Sequence, residues 1–335
     1  MISLDQYYMK LAINEALKGK NEVYPNPRVG ALVVSDKEII SSGYHSNYGG
    51  QHAEASAIKK LQSNISNATL YVTLEPCTHK GKTESCCDLI TSKIFKRVVI
   101  GTTDPNPIAK GGIEKIKKKG IQVESNILKN ECRKINRRFF TFHEKKRPYI
   151  ILKIASTMDG FIAENNWNSK WITNQESRKS VHLLRSNCDA ILVGRNTISK
   201  DNPILTSHGM GKNPKIVFFD QSKKIDSDSY VYKNNPIVLS GDDLTNDPKK
   251  NIAKLLKLLF DNSIQTLLVE GGGITFTHFF DGNFFDELQL YYAPKMIGNG
   301  ISFYRNSKSL KNNFDLTLHK VEQFHNDIKL TYYKN

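Results

Sequence analysis

The sequence predicts a two-domain α/β protein, and three observations predict it. The chain has 335 residues, where ~150 is usual for one domain. Apolar strand-like runs alternate along it with helix-patterned segments, the pattern of a layered α/β fold with much parallel pairing. The alternation breaks at Phe142-His143-Glu144-Lys145-Lys146-Arg147-Pro148, a charge run that ends in proline. The break places the domains at 1–146 and 147–335.

In the first half, Tyr7–Lys18 reads as a helix because Leu4, Tyr8, Leu11, Ala12 and Glu15 follow helical spacing. GALVVS (Gly30–Ser35) reads as a buried strand, His52–Leu61 as a helix and ATLYVTL (Ala68–Leu74) as a strand. A helix begins at Cys86 and runs to Ser92. Then come strand Arg97–Gly101, helix Gly112–Lys119 and strand Ile121–Glu124. Tyr149–Ala155 opens a second α/β pattern, with strands at Ala190–Val193, Lys215–Phe219, Pro236–Leu239 and Thr266–Val269. Glu287–Ala293 and Lys329–Tyr333 read as late strands. There is no internal repeat and no low-complexity tract.

Composition narrows the function classes. Hydrophobic residues are 39% and charged residues 24% of the chain, ordinary for a globular protein and wrong for collagen or coiled coil. No apolar run approaches the ~18 residues of a membrane span. The N-terminus carries acidic residues and no apolar core of a signal peptide. Five cysteines, three of them within eleven positions, make no disulfide framework at this length. They suit a reducing, cytoplasmic setting and a metal site. Net charge is +15, which raises the question of nucleic acid. Only ten of the 48 basic residues are arginine, and lysine is a solvated point charge, not a bidentate reader of phosphate. A lysine-biased surface is the better reading.

One constellation carries chemistry. His52 and Glu54 sit at a helix start, Pro76-Cys77 follows a strand, and Cys86 opens the next helix. One imidazole and two thiolates suit a catalytic zinc whose fourth position is left to water. Zinc lowers the pKa of that water toward neutrality. A carboxylate that is not a ligand must then shuttle protons, and Glu54 suits that role. The zinc-deaminase signature is H-x-E…P-C-x-x-C. Its first part fits, but eight residues separate Cys77 from Cys86, and Lys80 stands where a second thiolate would fall. In the second half, Glu270-Gly271-Gly272-Gly273 follows a strand and precedes a helix. Such a turn offers bare N–H groups to phosphate, but it is not the dinucleotide-binding G-x-G-x-x-G.

HAEASAI, TLEPCTHKGKTESC and RVVIGTTDPNPIAKGGIEKIKKKGI resemble the deaminase half of the bifunctional riboflavin-biosynthesis deaminase–reductases. That family carries a longer insert before its second cysteine, beginning P-C-[ST]-H-x-G-[RK]-T, which favours Cys86 over Cys87 as the ligand. KIASTMDGFIA, NSKWIT, SVHLLRSNCDAILVGRNTISKDNPILT and LLVEGGG resemble the reductase half. The match runs in order through essentially the whole chain.

The resemblance implies a cytidine-deaminase-like three-layer domain followed by a dihydrofolate-reductase-like domain, with Zn2+ and NADPH as cofactors. It implies deamination of 2,5-diamino-6-ribosylamino-4(3H)-pyrimidinone 5′-phosphate, then reduction of the ribosyl group to ribityl. Asn26 and His45 would line the pyrimidine end of the first site. Lys82, Asp104 and Asn106 would handle the sugar phosphate. Ala155, Trp171, Thr173, Thr197, Asp201, Gly272 and Gly273 match NADPH positions. Lys153, Ser169, Arg185, Leu205 and Glu270 match substrate positions. Arg185 would clamp the phosphate, and Lys153 with Glu270 would polarise or protonate the sugar oxygen. By the same resemblance the stretch at Gln221-Ser222 would be a further nucleotide contact. After Asn202-Pro203-Ile204-Leu205-Thr206 the family usually places an arginine; here His208 takes that position. Histidine is mostly neutral at pH 7, so phosphate binding should weaken and recover as pH falls. The resemblance further implies a homo-oligomer, dimer or tetramer, with a small-molecule pyrimidine ribosyl phosphate as ligand and no nucleic-acid or membrane partner. The competing reading, a nucleic-acid deaminase with an accessory domain, is disfavoured by the long cysteine insert and by the whole second half.

Overall fold

The computed structural model describes residues 2–80, 84–306 and 313–335. The chain divides into two compact units, residues 1–145 and 146–335.

In the first unit, α1 (Leu4–Leu17) starts at a capping box: Ser3 accepts from the Gln6 amide, and the Gln6 side chain accepts from the Ser3 amide. Then come β1 (Gly30–Ser35), β2 (Glu38–Tyr44), α2 (Ala53–Ile58), β3 (Ala68–Val72), α3 (Cys86–Leu89), β4 (Phe95–Ile100), α4 (Gly112–Lys117), β5 (Gln122–Ser125), α5 (Lys129–Lys134) and α6 (Arg137–Lys145). The sheet order is β2-β1-β3-β4-β5. β1 is antiparallel to both neighbours, and β3, β4 and β5 are parallel. Side chains alternate across a strand. Ala31 and Val33 therefore pack toward α2 with Leu70, Val72 and Ile116, while Leu32 and Val34 pack toward α1 with Met9 and Ala12. Helices on both faces explain why GALVVS is apolar throughout. Gly30 permits the closest approach: a Cβ there would lie 2.1 Å from the Ala12 carbonyl oxygen of α1.

α5 and α6 are not expected from the sequence, and α6 carries Phe142–Lys145, the first part of the charge run read as a break, in a helix; two further differences have a local cause. β2 goes unrecognised because its hairpin turn is Asp36-Lys37, with φ of 49° and 67°. Both turn residues are left-handed, as a two-residue hairpin of this type requires, yet neither is the Gly or Asn that signals it. The helix expected over Cys86–Ser92 stops at Leu89, and Ile90 turns extended.

The second unit contains β6 (Tyr149–Thr157), β7 (Phe161–Ala163), α7 (Gln175–Ser186), β8 (Ala190–Leu192), α8 (Arg195–Asp201), β9 (Lys215–Asp220), β10 (Ile237–Ser240), α9 (Pro248–Asp261), β11 (Thr266–Val269), α10 (Gly273–Asp281), β12 (Glu287–Ala293), β13 (Ile301–Ser302), β14 (Leu316–Phe324) and β15 (Asp327–Lys334). Its eight-stranded sheet runs β10-β9-β8-β11-β6-β12-β15-β14. It is parallel from β10 to β12, and β15 and β14 close it antiparallel. β6 alternates Ile150, Leu152 and Ile154 into one core with Tyr149 and Ile151 into the other. The same alternation sends Lys153 and Ala155 to the Ile151 face, at the carboxyl end of the strand. A ligand crevice is expected at that end of a parallel sheet.

Candidate active sites

The first site is assembled by chain segments that end where chemistry is needed. His52 is the N-cap of α2, with extended backbone and no side-chain capping bond, so its imidazole is free to turn outward. Its Nδ1 lies 3.2 Å from Cys86 Sγ and 3.5 Å from Cys77 Sγ. The Cys86 amide donates to Cys77 Sγ, and Ser85 Oγ donates to the Cys77 carbonyl, which fixes the loop between them. The three donor atoms lie within 4.8 Å of one another. An imidazole nitrogen and two thiol sulfurs converging so closely fit a tetrahedral zinc with one position open. The hydrogen bond from Cys86, helped by His52, holds the Cys77 thiol well below the usual thiol range. Cys87 faces elsewhere. Its Sγ is 3.3 Å from the Pro76 carbonyl oxygen, and burial pushes its pKa up to about 12.

Glu54 is 3% exposed. Burial raises its pKa, with His52 opposing. A cavity of about 160 Å³ opens in front of it, lined also by Asn26, His45, Asp104 and Asn106. His45 Nδ1 lies 2.9 Å from the Gln51 carbonyl oxygen, which can only accept, so Nδ1 carries the proton. In the neutral ring, which burial favours, Nε2 then accepts from Asn26 Nδ2 at 3.2 Å. That bond fixes the Asn26 amide, leaving its oxygen for a ligand. Asp104 Oδ1 accepts from the Asn106 amide at 2.8 Å. Burial, with Glu75 nearby, pushes the Asp104 pKa up to about 7. Lys82 lies outside the described residues. Glu75 also lines the cavity and was not singled out by the sequence; its carboxylate accepts from the amides of Asp104, Gly111 and Ile113. A glutamate two residues before a ligand cysteine was the available signal.

The second site is a cavity of about 630 Å³ at the carboxyl ends of β6, β8 and β11. It is lined by Lys153, Ala155, Ser169, Trp171, Thr173 and Arg185, and by Thr197, Asp201, Leu205, His208, Glu270 and Gly272. Gly273 is the exception among the expected residues: it is buried, and a Cβ there would lie 2.3 Å from the Ser302 carbonyl oxygen. Its part is close packing, whereas Gly272, the N-cap of α10, has open space around it. Trp171 is 63% exposed and lies under the Arg178 guanidinium at 4.3 Å, so it serves the cavity mouth and not the core. The volume suits a sizeable organic ligand. The bare amides at the start of α10 suit a dinucleotide's phosphates, so the residues fit NADPH. Gln221 lines a separate cavity of about 340 Å³ with Arg195 and His278, and Ser222 Oγ accepts from Arg195.

The charged group at the floor departs from the sequence expectation. Arg185 grips Glu270 with both arms of its fork, Nε to Oε1 at 2.8 Å and Nη2 to Oε2 at 3.0 Å, and donates from Nη1 to the Thr206 carbonyl. Three of its donors are thus used inside the protein, so it is not a free phosphate clamp. Lys153 Nζ lies 3.7 Å from Glu270. Burial raises the Glu270 pKa, but Arg185 and Lys153 outweigh it and hold the carboxylate at about 2. Glu270 therefore cannot donate a proton near neutrality. Burial lowers the Lys153 pKa, with Glu270 opposing.

Among the described residues no helix is long and apolar enough to cross a membrane. Residues 2–102 match the cytidine and deoxycytidylate deaminase zinc-binding region, and residues 148–330 match the RibD C-terminal domain. The riboflavin biosynthesis protein RibD of Aquifex aeolicus is 39% identical over 97% of both chains. That of Escherichia coli is 31% identical over 88% of this chain and 89% of its own. The crystal structure of a diaminohydroxyphosphoribosylaminopyrimidine deaminase/5-amino-6-(5-phosphoribosylamino)uracil reductase from Thermotoga maritima is 36% identical, covers 99% of both chains and superposes with a TM-score of 0.81. RibD from Acinetobacter baumannii superposes with a TM-score of 0.83 at 28% identity over the whole of both chains. With a zinc-type donor set in one unit and a reductase-type cavity in the other, the chain belongs to the RibD family of bifunctional riboflavin-biosynthesis deaminase–reductases.

Proposed function

We propose that the two sites act in sequence on one pyrimidine ribosyl phosphate. The first unit hydrolyses the 2-amino group of 2,5-diamino-6-ribosylamino-4(3H)-pyrimidinone 5′-phosphate and releases ammonia. The second reduces the ribosyl group of the product to ribityl. The carrying observation is the convergence of His52, Cys77 and Cys86 beside a buried glutamate, Glu54, that is not one of the three converging donors.

Zinc held by these three residues would supply a Lewis acid that lowers the pKa of a water toward neutrality. Glu54 takes one proton from the attacking water and gives it to the ring nitrogen, then takes the proton of the newly added hydroxyl as the C2 carbonyl forms and gives it to the amine, which leaves as ammonia. Its buried setting raises its proton affinity and suits it to both steps. Asn26, oriented by His45, holds the pyrimidine, and Asp104 and Asn106 hold the ribosyl phosphate.

NADPH bound in the second unit would supply the hydride for C1′. Lys153 gives a proton to the sugar ring oxygen as the C1′–O bond opens, so hydride and proton together account for the two hydrogens gained. Glu270 keeps Lys153 and Arg185 in place. Trp171, Thr173, Thr197, Asp201 and the Gly272 turn hold the cofactor; Ser169 and Leu205 bound the substrate. Lys153→Met should abolish NADPH oxidation while ammonia release from the first substrate continues. Persisting NADPH oxidation would remove Lys153 from the step. A cytoplasmic location and a homo-oligomer belong to the same reading. Five buried cysteines suit a reducing setting, and sedimentation velocity tests the second.

A further inference from the structure

We propose that Asn136 is a positioning residue of the deaminase: it locks the loop that presents Asn26 to the pyrimidine. This rests on the deaminase reading above. Asn26 stands between two prolines in Pro25-Asn26-Pro27-Arg28-Val29, a stretch with neither helix nor strand ahead of β1. Asn26, Pro27 and Val29 all line the first cavity. Local bonds hold the two ends of this stretch. The Asn26 amide donates to the Val23 carbonyl at 2.9 Å, and the Val29 carbonyl accepts from the His45 amide at 3.0 Å. Between these ends, Asn136 meets the main chain of Arg28 with both halves of its side-chain amide. Its Oδ1 accepts from the Arg28 N–H at 2.8 Å, and its Nδ2 donates to the Arg28 carbonyl at 2.8 Å. A backbone N–H only donates and a carbonyl only accepts, so the Asn136 amide has one orientation here. The side chain does for Arg28 what a neighbouring strand would do.

Asn136 is itself held firmly. It is 8% exposed and stands between α5 and α6. Its backbone amide donates to the Arg133 carbonyl at 3.0 Å, and its carbonyl accepts from the Phe140 amide at 3.1 Å. One turn further on, Phe139 and Phe140 pack with Leu74 and Val29, and Phe139 reaches the cavity wall. Pro27 connects this anchor to Asn26: its ring fixes φ at about −65°, so pinning Arg28 limits where Asn26 can point. His45 then sets the turn of the Asn26 amide through Nε2 at 3.2 Å. Asn26 is thus held twice, at its side chain by His45 and along its backbone by Asn136. Without the Asn136 amide, the N–H and carbonyl of Arg28 lose their partner, and Asn26 can swing away from the ring it should contact. The zinc donors sit on other segments, the start of α2, the Cys77 loop and α3, so metal binding should survive.

The test compares zinc content and ammonia release for the zinc-loaded full chain carrying Asn136→Ala, Asn136→Asp, Asn26→Ala, or Asn26→Ala together with Asn136→Ala. Asn136→Asp keeps the shape and the acceptor but sets an oxygen against the Arg28 carbonyl. Both Asn136 variants should retain zinc and raise KM for 2,5-diamino-6-ribosylamino-4(3H)-pyrimidinone 5′-phosphate about tenfold, the weight of one or two buried hydrogen bonds, with kcat little changed. Asn26→Ala should raise KM as well. Adding Asn136→Ala to it should change KM by no more than about twofold, because residues that act through one another are not additive. A further rise of about tenfold in the double variant would show that Asn136 acts apart from Asn26 and would overturn the proposal. Loss of zinc from both Asn136 variants, or a fall in kcat at unchanged KM, would make Asn136 a residue of the fold alone and overturn it too. Wild-type kinetics in both Asn136 variants has the same consequence. Absence of ammonia release from the zinc-loaded wild type removes the deaminase reading, and the positioning role falls with it.

Discussion

Each unit buries a glutamate beside its candidate chemistry, and the two are pushed in opposite directions. Among the described residues no arginine or lysine lines the small cavity that Glu54 faces; burial raises its proton affinity. The Glu270 side chain is somewhat more open, 13% exposed, and Arg185 and Lys153 hold it at about 2. On the proposed reading the same side chain is a proton carrier in one unit and a fixed counter-charge in the other. Burial alone does not assign a role; the partners do.

The largest expected effect breaks the carrier. Glu54→Gln should lower ammonia release by about 10²–10⁴-fold, the usual worth of a positioned acid–base group. Zinc content and NADPH oxidation with the deaminated substrate should stay unchanged. Loss of zinc from this variant, measured by elemental analysis, would make Glu54 a structural residue.

A second pair of variants separates neighbouring cysteines. Cys86→Ser should lose zinc and deamination together, whereas Cys87→Ser should keep the metal, since its sulfur faces the Pro76 carbonyl. Equal zinc loss in both would contradict the assignment. Chelation of the wild type should likewise stop ammonia release and leave NADPH oxidation intact.

The counter-charge is tested through stability. Glu270→Gln leaves Arg185 and Lys153 without their anion, and breaking such a buried pair costs about 3 kcal/mol. Because the folded Glu270 pKa lies below its unfolded value of ~4.3, its contribution is complete above that value. It is lost as pH falls toward about 2. Acid titration of wild type and variant, followed by circular dichroism, should therefore converge at the low end. A constant gap across this window would remove the ion-pair explanation.

Asp104 supplies the opposite sign. Its folded pKa is pushed up to about 7, so its ionisation destabilises the fold as pH rises from the unfolded value of ~3.9 through neutrality. Asp104→Asn should raise Tm at pH 8 more than at pH 5. An equal shift at both would place the effect in packing. The smallest effects come from the glycine turn: Gly273→Ala should impair the reductase by clash with the Ser302 carbonyl, and Gly272→Ala should be tolerated by the fold.

The sequence makes the first site legible because its chemistry is dense: His52, Glu54, Cys77 and Cys86 fall at element ends that a strand-and-helix reading already places. The parallel strands of the second unit are legible for a similar reason, each being a short apolar run covered on both faces. β2 was not, because Asp36-Lys37 adopts a turn its residue types do not announce. Glu75 was not, because its work is to hold backbone amides of a distant loop. The Arg185–Glu270 grip joins residues 85 positions apart. No local pattern shows that a fork suited to phosphate is already engaged. The His182–His208 stack is hidden for the same reason: two ordinary histidines meet only through the fold.

The central claim is that one chain carries two complementary sites that work in order. Mass analysis tests it most directly, on zinc-loaded protein given 2,5-diamino-6-ribosylamino-4(3H)-pyrimidinone 5′-phosphate with and without NADPH. The account predicts a deaminated product without NADPH, and that product reduced by two hydrogens only with it. Unchanged substrate in both samples, with zinc bound, would contradict the account.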